Sequence, residues 1–134
     1  MQGHGSYELS VINQIVIAKI MGSWNKEKAE QYFTELKSIA HTVILKPWAM
    51  VVYMDKWELG TPGSDEVTLE LIKWLAGNNL NKVAEIYSPS ALKKMHVQQM
   101  INKTQFTIDR MCFHDDENAF VWLASHGFTI EPTS

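Results

Sequence analysis

The chain has 134 residues, of which 46% are hydrophobic and 20% are charged. This balance is that of an ordinary globular protein and excludes disordered and collagen-like chains. The length corresponds to one domain, since domains typically contain about 100–200 residues. We therefore expect a single domain over residues 1–134, with residues 1–5 as a flexible N-terminal tail.

Charge and cysteine content exclude several classes of function. The net charge is −3, and Arg110 is the only arginine, so the clustered cations of a nucleic-acid binder are missing. Cys112 is the only cysteine, which excludes an intramolecular disulfide and favours a reducing, cytoplasmic location. The first six residues have neither the charge nor the apolar run of a secretory signal. No apolar run approaches the roughly 20 residues of a transmembrane helix.

The N-terminal segment predicts a β-hairpin. Apolar and polar residues alternate over residues 6–11, as in a strand with one buried face. Residues 15–21 form a nearly continuous β-branched run, which is typical of a strand buried on both faces. Asn13 and Gln14 lie between these strands and predict a tight turn.

The segment after the hairpin predicts the most regular amphipathic helix of the chain. Ser23 or Asn25 can cap its start. The apolar side chains recur with helical spacing, so the helix should cover a sheet with one face. These residues are Ala29, Tyr32, Phe33, Leu36, Ala40 and Val43. An apolar strand follows Pro47 and is predicted to end at Met54 and Asp55.

The rest of the chain continues this alternation of helices and strands. We predict a second helix over residues 61–77, a strand over 83–87, a third helix over 88–103, a strand over 107–113 and a fourth helix over 115–127. Helices that connect successive strands imply a mostly parallel sheet. The prediction is an α/β fold with a mixed, mostly parallel five-stranded sheet, about four helices and the order ββαβαβαβα.

Candidate binding residues follow the carboxyl ends of the strands, where ligands gather in open α/β sheets. We single out Trp24, Asp55 and Trp57 at this edge, with serines and aspartates that also suit helix caps. Asp55 and Glu58 could form an acid–base pair, although solvated surface carboxylates are commoner. Cys112 with His114 is better interpreted as a buried cysteine than as a nucleophile. The histidines lack ligand spacing, and no nucleotide motif occurs, so neither a metal nor a cofactor is expected.

Two helices carry more apolar residues than one buried stripe needs. On the second helix, Leu69 and Ile72 lie away from the apolar stripe formed by Val67, Leu71 and Leu75. This pattern predicts either a helix wedged deeply in the core or a flank covered by a partner. On the third helix Met95 and Met100 could adapt to an apolar ligand, although a core-facing helix is the more ordinary interpretation.

Several short strings resemble the STAS-like superfamily, and more closely its small bacterial SpoIIAA-like proteins. The matching strings are residues 22–25, 48–55, 57–59 with 61–62, and 113–123. The resemblance covers nearly the whole chain. It implies a non-enzymatic regulatory or binding domain, with a distant similarity in outline to CRAL-TRIO lipid-binding domains.

In antagonist members of this superfamily, a serine at the start of the second helix is phosphorylated within an Asp-Ser-Ser/Thr-Gly string. Here that region lacks the string, and Ser64 is the candidate for phosphorylation, with Thr61 the other nearby hydroxyl. Asp65 and Glu66 would oppose a phosphate on Ser64 by repulsion.

These observations lead to one main prediction of function and two alternatives. The main prediction is a binding module that acts through a protein partner or a homodimer, with Trp57, Thr61, Ser64, Leu69 and Ile72 on its surface. The first alternative is a carrier or sensor of an apolar small molecule or lipid. An enzyme that uses Asp55, Glu58 or His114 is the least favoured alternative.

Overall fold

The computed structural model describes residues 5–58, 62–88, 99 and 108–132, and for residues 62–64 it describes the backbone alone. The strands are β1 (Ser6–Ile12), β2 (Ile15–Ser23), β3 (Trp48–Glu58), β4 (Leu80–Ile86) and β5 (Asp109–Phe113). The helices of the described part are α1 (Lys26–Ala40), α2 (Pro62–Ala76) and α3 (Asp116–Ser125).

The strands form one mixed sheet in the order β1-β2-β3-β4-β5. β1 runs antiparallel to β2, and the other neighbouring strands are parallel, so the predicted hairpin and mostly parallel sheet are confirmed. Asn13 turns the hairpin with a φ of 55°, a left-handed conformation that asparagine tolerates. Its side-chain amide donates to the carbonyls of Thr129 and Glu131 at 2.7 and 2.8 Å, which ties the turn to the C-terminal segment.

Helices cover both faces of the sheet. The face that carries Val16 and Ala18 packs under α1 and α2, whereas the face that carries Ile15 packs under α3. Neighbouring residues of a strand point to opposite faces, which explains why β2 is apolar on consecutive positions. Leu36 of α1 and Leu123 of α3 are fully buried on their respective sides.

Two strands extend further than their composition predicts. β2 continues past Met21 to Ser23, and β3 continues past Asp55 to Glu58. Backbone pairing of Ser23 with Glu58 holds both ends in the sheet after an irregularity in the register. Burial of Trp57 within this extension supports the pairing. The predicted ends of these strands, at Met21 and at Met54 and Asp55, are therefore too early.

Two helix starts carry the caps that the sequence predicts. Asn25 precedes α1, and its side chain accepts a hydrogen bond from the backbone amide of Lys28 at 2.9 Å. Asp115 caps α3 in the same way, through the amide of Asn118 at 2.8 Å. Of the two candidates before α1, Asn25 is thus the cap, and Ser23 belongs to a strand.

Some predictions fall on residues that the structure does not describe. The helix expected over residues 88–103 lies almost entirely outside the described ranges, as does residue 107 of the last predicted strand. Of the expected tail, residues 1–4 lie outside as well. Gly5 is described, and a Cβ there would clash with the Trp24 ring, so its backbone packs directly on the indole. None of the described helices is both long and apolar enough to cross a membrane.

Candidate functional site

A cavity of about 140 Å³ lies between the sheet and helices α1 and α2, and we refer to it as the α1–α2 cavity. β2, β3 and β4 form its floor through side chains on the sheet face that meets these helices. Its wall is almost entirely hydrocarbon and aromatic. Aliphatic and methionine side chains of this wall include Ile20, Met50, Met54, Val67, Leu71 and Leu75.

Aromatic rings form another part of the wall. Trp24 and Tyr32 both line the cavity, and their ring centroids lie 5.0 Å apart in an edge-to-face arrangement. Tyr7 packs against both rings from β1, at 5.8 and 5.3 Å. The indole nitrogen of Trp24 donates to the Met21 carbonyl at 2.9 Å, which fixes the ring. Trp57 adds a further buried aromatic ring to the wall.

A buried ion pair borders the cavity on β4 and β5. Glu85 is only 5% exposed, and its Oε1 accepts a hydrogen bond from Nε of Arg110. The same oxygen lies 3.4 Å from the Tyr87 hydroxyl and 3.8 Å from the Cys112 thiol, both of which can donate to it. Glu85 and Arg110 both line the cavity, so charged groups meet an otherwise apolar space there.

Burial and charge act against each other in this cluster. Burial raises the pKa of Glu85, although the charge and hydrogen bond of Arg110 lower it. Burial lowers the pKa of Arg110, but the charge of Glu85, the hydrogen bond and charge of Tyr87 and the charge of Cys112 together raise it above its ordinary value. Burial, followed by the negative charge of Glu85, raises the pKa of the Tyr87 phenol. The attraction of Arg110 therefore offsets only part of the cost of burying the Glu85 carboxylate, because the net shift of its pKa is upward.

Three residues predicted from the sequence meet at the α1–α2 cavity. Trp24, Trp57 and Ile72 all line its wall. Ile72 is only 9% exposed, which at this position favours the deeply wedged helix over a flank covered by a partner. The reason is that α2 packs beside α1 across the sheet, which widens the buried arc of the helix to include Ile72.

The other predicted site residues do not meet there. Asp55 is exposed on β3, and Leu69 is half-buried on α2, and neither lines the cavity. Thr61, Met95 and Met100 lie outside the described residues. Ser64 belongs to the first turn of α2, where the backbone alone is described, and its phosphorylation stays a prediction.

The two remaining polar pairs from the sequence are separated in space or exposed. Cys112 is half-buried and faces Glu85, whereas His114 is exposed just beyond β5. Asp55 and Glu58 are both exposed on β3. These positions favour structural and surface roles over a catalytic pair.

Sequence reasoning missed Glu85 and Arg110 as site residues. A signal was present, because Glu85 interrupts an apolar strand and Arg110 is the single arginine of the chain. Charged residues are almost never buried unless they are paired, so a carboxylate in such a strand demands a cation. The register of β4 with β5 supplies this cation, because it pairs Arg110 with Val83. Val83 lies two residues before Glu85 on β4, so both point to the same face of the sheet.

Comparisons with known proteins identify the fold and leave the function open. Neither a protein-family model nor a curated protein matches the chain. An uncharacterised protein of the DUF3478 family from Shewanella loihica, with a SpoIIAA-like fold, matches with a TM-score of 0.69 at 17% identity, over 92% of this chain and 96% of that one.

Two anti-sigma factor antagonists are also similar in structure. SpoIIAA in its unphosphorylated form gives a TM-score of 0.60 at 11% identity, over 89% of this chain and 98% of its own. An antagonist from Mycobacterium paratuberculosis gives 0.57 at 11% identity, over 90% and 94%. The chain therefore has a STAS-like, SpoIIAA-like fold, as its motifs predict.

Proposed function

We propose that this chain is a non-enzymatic binding module of the STAS-like fold, and that it takes a small apolar molecule into the α1–α2 cavity. This is the alternative of an apolar ligand carrier or sensor raised by the sequence. The observation that carries the proposal is the cavity itself, a partly open and mostly apolar pocket of the kind in which small molecules bind.

The size of the cavity sets the size of the ligand. An apolar cavity of about 150 Å³ stays dry and binds benzene, whereas pockets for drug-sized ligands measure about 300–1,000 Å³. At about 140 Å³, the described cavity matches a single ring or a short branched chain. We therefore propose a compact molecule as the ligand in preference to a lipid.

The chemistry of the wall favours binding over catalysis. Glu85 and Arg110 resemble a functional pair in being buried with shifted pKa values, but ion pairs within a fold have the same signature. Their direct mutual contact satisfies the charge of each, so neither is poised as a free acid or base. Apart from the tyrosine and tryptophan rings, Asp65 and Thr68 are the other polar residues of the described wall, and both lie on α2.

A protein partner is the second part of the proposal. Two neighbours in fold are by name anti-sigma factor antagonists, which supports a regulatory role reached through protein contact. α2 contributes wall residues to the cavity, and a flank covered by a partner is one of the two interpretations that the sequence offers for this helix. A ligand in the cavity would therefore contact α2, the same helix that carries the proposed partner surface.

Filling the cavity should abolish binding of a small apolar probe. In Val67→Phe, the larger ring occupies the space that toluene would take, because Val67 lines the wall. Toluene at a hundredfold excess over its Kd should stabilise the wild type by about 2.7 kcal/mol and leave Val67→Phe unchanged. Thermal unfolding with and without toluene measures both effects.

The same substitution at Val121 provides the control. Val121 is 64% exposed on α3, away from the cavity, so Val121→Phe should retain the wild-type response. A wild type that toluene does not stabilise, or a Val67→Phe variant that responds fully, would argue against the proposed site. Native mass spectrometry of protein from its own host would then identify the natural ligand.

Self-association through α2 has a separate test. If the half-buried Leu69 contacts a second copy, Leu69→Glu should convert a dimer to a monomer by burying a charge in the interface. Sedimentation velocity measures this change, with Val121→Glu as the exposed control. A wild type that is monomeric at all concentrations would contradict a homodimer.

A further inference from the structure

Strand β1 lies at one edge of the sheet, and in the described part of the chain its only neighbour is β2. Natural edge strands are commonly protected from further pairing by proline, lysine, a bulge or shortness. β5, at the opposite edge, has only five residues. β1 has seven residues without proline or lysine, and all of them pair with β2 in a regular register. The outer side of β1 is therefore able to pair with another strand.

The hairpin geometry identifies the backbone groups on this outer side. The turn between β1 and β2 has two residues, and Ile12 pairs with Ile15 across it. Residues that flank such a turn exchange both of their hydrogen bonds, and bonded and non-bonded pairs then alternate along the two strands. The N–H and C=O groups of Tyr7, Leu9 and Val11 therefore point away from β2.

A second copy of β1 fits this edge in one register. Two antiparallel copies centred on Leu9 place Tyr7 opposite Val11, so the groups that point outward in each copy meet those of the other. In the same register Glu8, the one charged residue of β1, lies opposite Ser10 of the second copy. Like charges are therefore not brought together, and β1 is complementary to itself in both hydrogen bonds and charge.

The groove beside β1 carries charges that also suit a second copy. It measures about 690 Å³ and lies between β1 and α1, with Lys28 and Glu35 on the α1 side. α1 connects the parallel strands β2 and β3, so it runs in the same direction as β1. A two-fold axis beside Leu9 reverses this direction in the second copy. Lys28 of each copy is then directed toward the half of the other α1 that carries Glu35.

We propose that two copies of this chain associate edge to edge through β1, so that their sheets continue into each other across a two-fold axis beside Leu9. Tyr7, Leu9 and Val11 pack on the core yet are only half-buried in the single chain, and the added strand would cover them further. The groove beside β1 shares no described residue with the α1–α2 cavity. The inference therefore goes beyond the proposed function.

Two substitutions at one exposed position test the register. Ser10 is exposed and would lie opposite Glu8 of the second copy, and Lys19 offsets part of the Glu8 charge within each chain. Ser10→Glu brings like charges together at both symmetric contacts and should weaken the dimer by about twofold to tenfold. Ser10→Lys brings opposite charges together and should strengthen it by a similar factor. Sedimentation velocity over a concentration series measures the Kd of each dimer, and thermal unfolding verifies that both variants fold.

Amide hydrogen exchange on the wild-type chain gives an independent measurement. The amides of Tyr7, Leu9 and Val11 should exchange more slowly as the protein concentration rises, because they donate to the second copy in the dimer. The outward amides of β5, at the other edge of the sheet, should exchange at the same rate at every concentration. Nuclear magnetic resonance resolves these amides individually.

Each outcome either supports or overturns the inference. A wild type that is monomeric at all concentrations overturns it, and so does a dimer in which the three amides remain unprotected. If those amides are protected but Ser10→Glu and Ser10→Lys give equal Kd values, the register centred on Leu9 is wrong. A dimer that Leu69→Glu dissociates and the Ser10 variants do not affect belongs to α2. Stabilisation by toluene depends on the α1–α2 cavity alone, so the proposed ligand site and this interface can fail separately.

Discussion

Replacing Arg110 with methionine should destabilise the folded chain by about 3–5 kcal/mol, because the variant leaves a buried carboxylate without its cation. The side chains of Glu85 and Arg110 are 7% and 9% exposed, so solvent cannot replace the lost partner. Methionine keeps much of the apolar stem that arginine packs. Urea unfolding followed by tryptophan fluorescence measures the free energy of unfolding.

A second ion pair on the same two strands is the matched control. Lys82 pairs with Asp109, whose side chain is 57% exposed, so Lys82→Met should cost less than about 1 kcal/mol. The double variant Glu85→Leu/Arg110→Met removes both buried charges and should regain most of the stability. Equal losses for Arg110→Met and Lys82→Met would show that the buried pair contributes no more than a surface pair.

The loss in Arg110→Met should depend on pH. Because burial raises the pKa of Glu85 above its ordinary value of 4.5, the folded state binds the proton more tightly than the unfolded state does. The contribution of Glu85 to stability is therefore greatest below pH 4.5 and declines as the pH rises through the folded-state pKa. Removing Arg110 raises that pKa further. The stability difference between wild type and variant should shrink as the pH is lowered from neutral toward 4.5, and a constant difference would exclude Glu85 as its origin.

Regular hydrophobic spacing made the architecture predictable. The alternation in β1 corresponds to its half-buried face, and the helical spacing of Ala29, Tyr32 and Leu36 corresponds to the buried face of α1. Short polar side chains before the helices also predicted caps, at Asp115 and at either Ser23 or Asn25, of which the structure selects Asn25. These signals are local, since each depends on residues within a few positions along the chain.

The ends of the strands and the polar part of the site depend on contacts that composition does not encode. β2 reaches Ser23 because β3 continues beside it, and neither extension is visible in one strand alone. The Glu85–Arg110 pair likewise needs the register of β4 with β5. Trp24 and Trp57 were predicted as site residues from their position near strand ends, and the structure places them in a wall with Glu85.

Replacing Trp48 with alanine should destabilise the chain by about 3–5 kcal/mol, as expected for loss of a large buried aromatic side chain. Trp48 is 0% exposed and has the largest fully buried side chain of the described residues. Its indole nitrogen donates to the Asn78 carbonyl at 2.7 Å, and its backbone amide donates to Asn79 at 3.2 Å. The side chain thus joins the start of β3 to the turn before β4.

Two further variants divide this loss into its causes. Trp48→Phe keeps most of the ring and removes the indole donor, so it should cost clearly less than Trp48→Ala, with about 1 kcal/mol from the hydrogen bond. Trp122→Ala truncates a half-buried tryptophan on α3 and should cost less than Trp48→Ala, because less apolar surface is lost from the interior. Trp48 does not line the α1–α2 cavity, so a folded Trp48→Phe variant should still be stabilised by toluene. Equal costs for Trp48→Ala and Trp122→Ala in chemical denaturation would contradict a core centred on the start of β3.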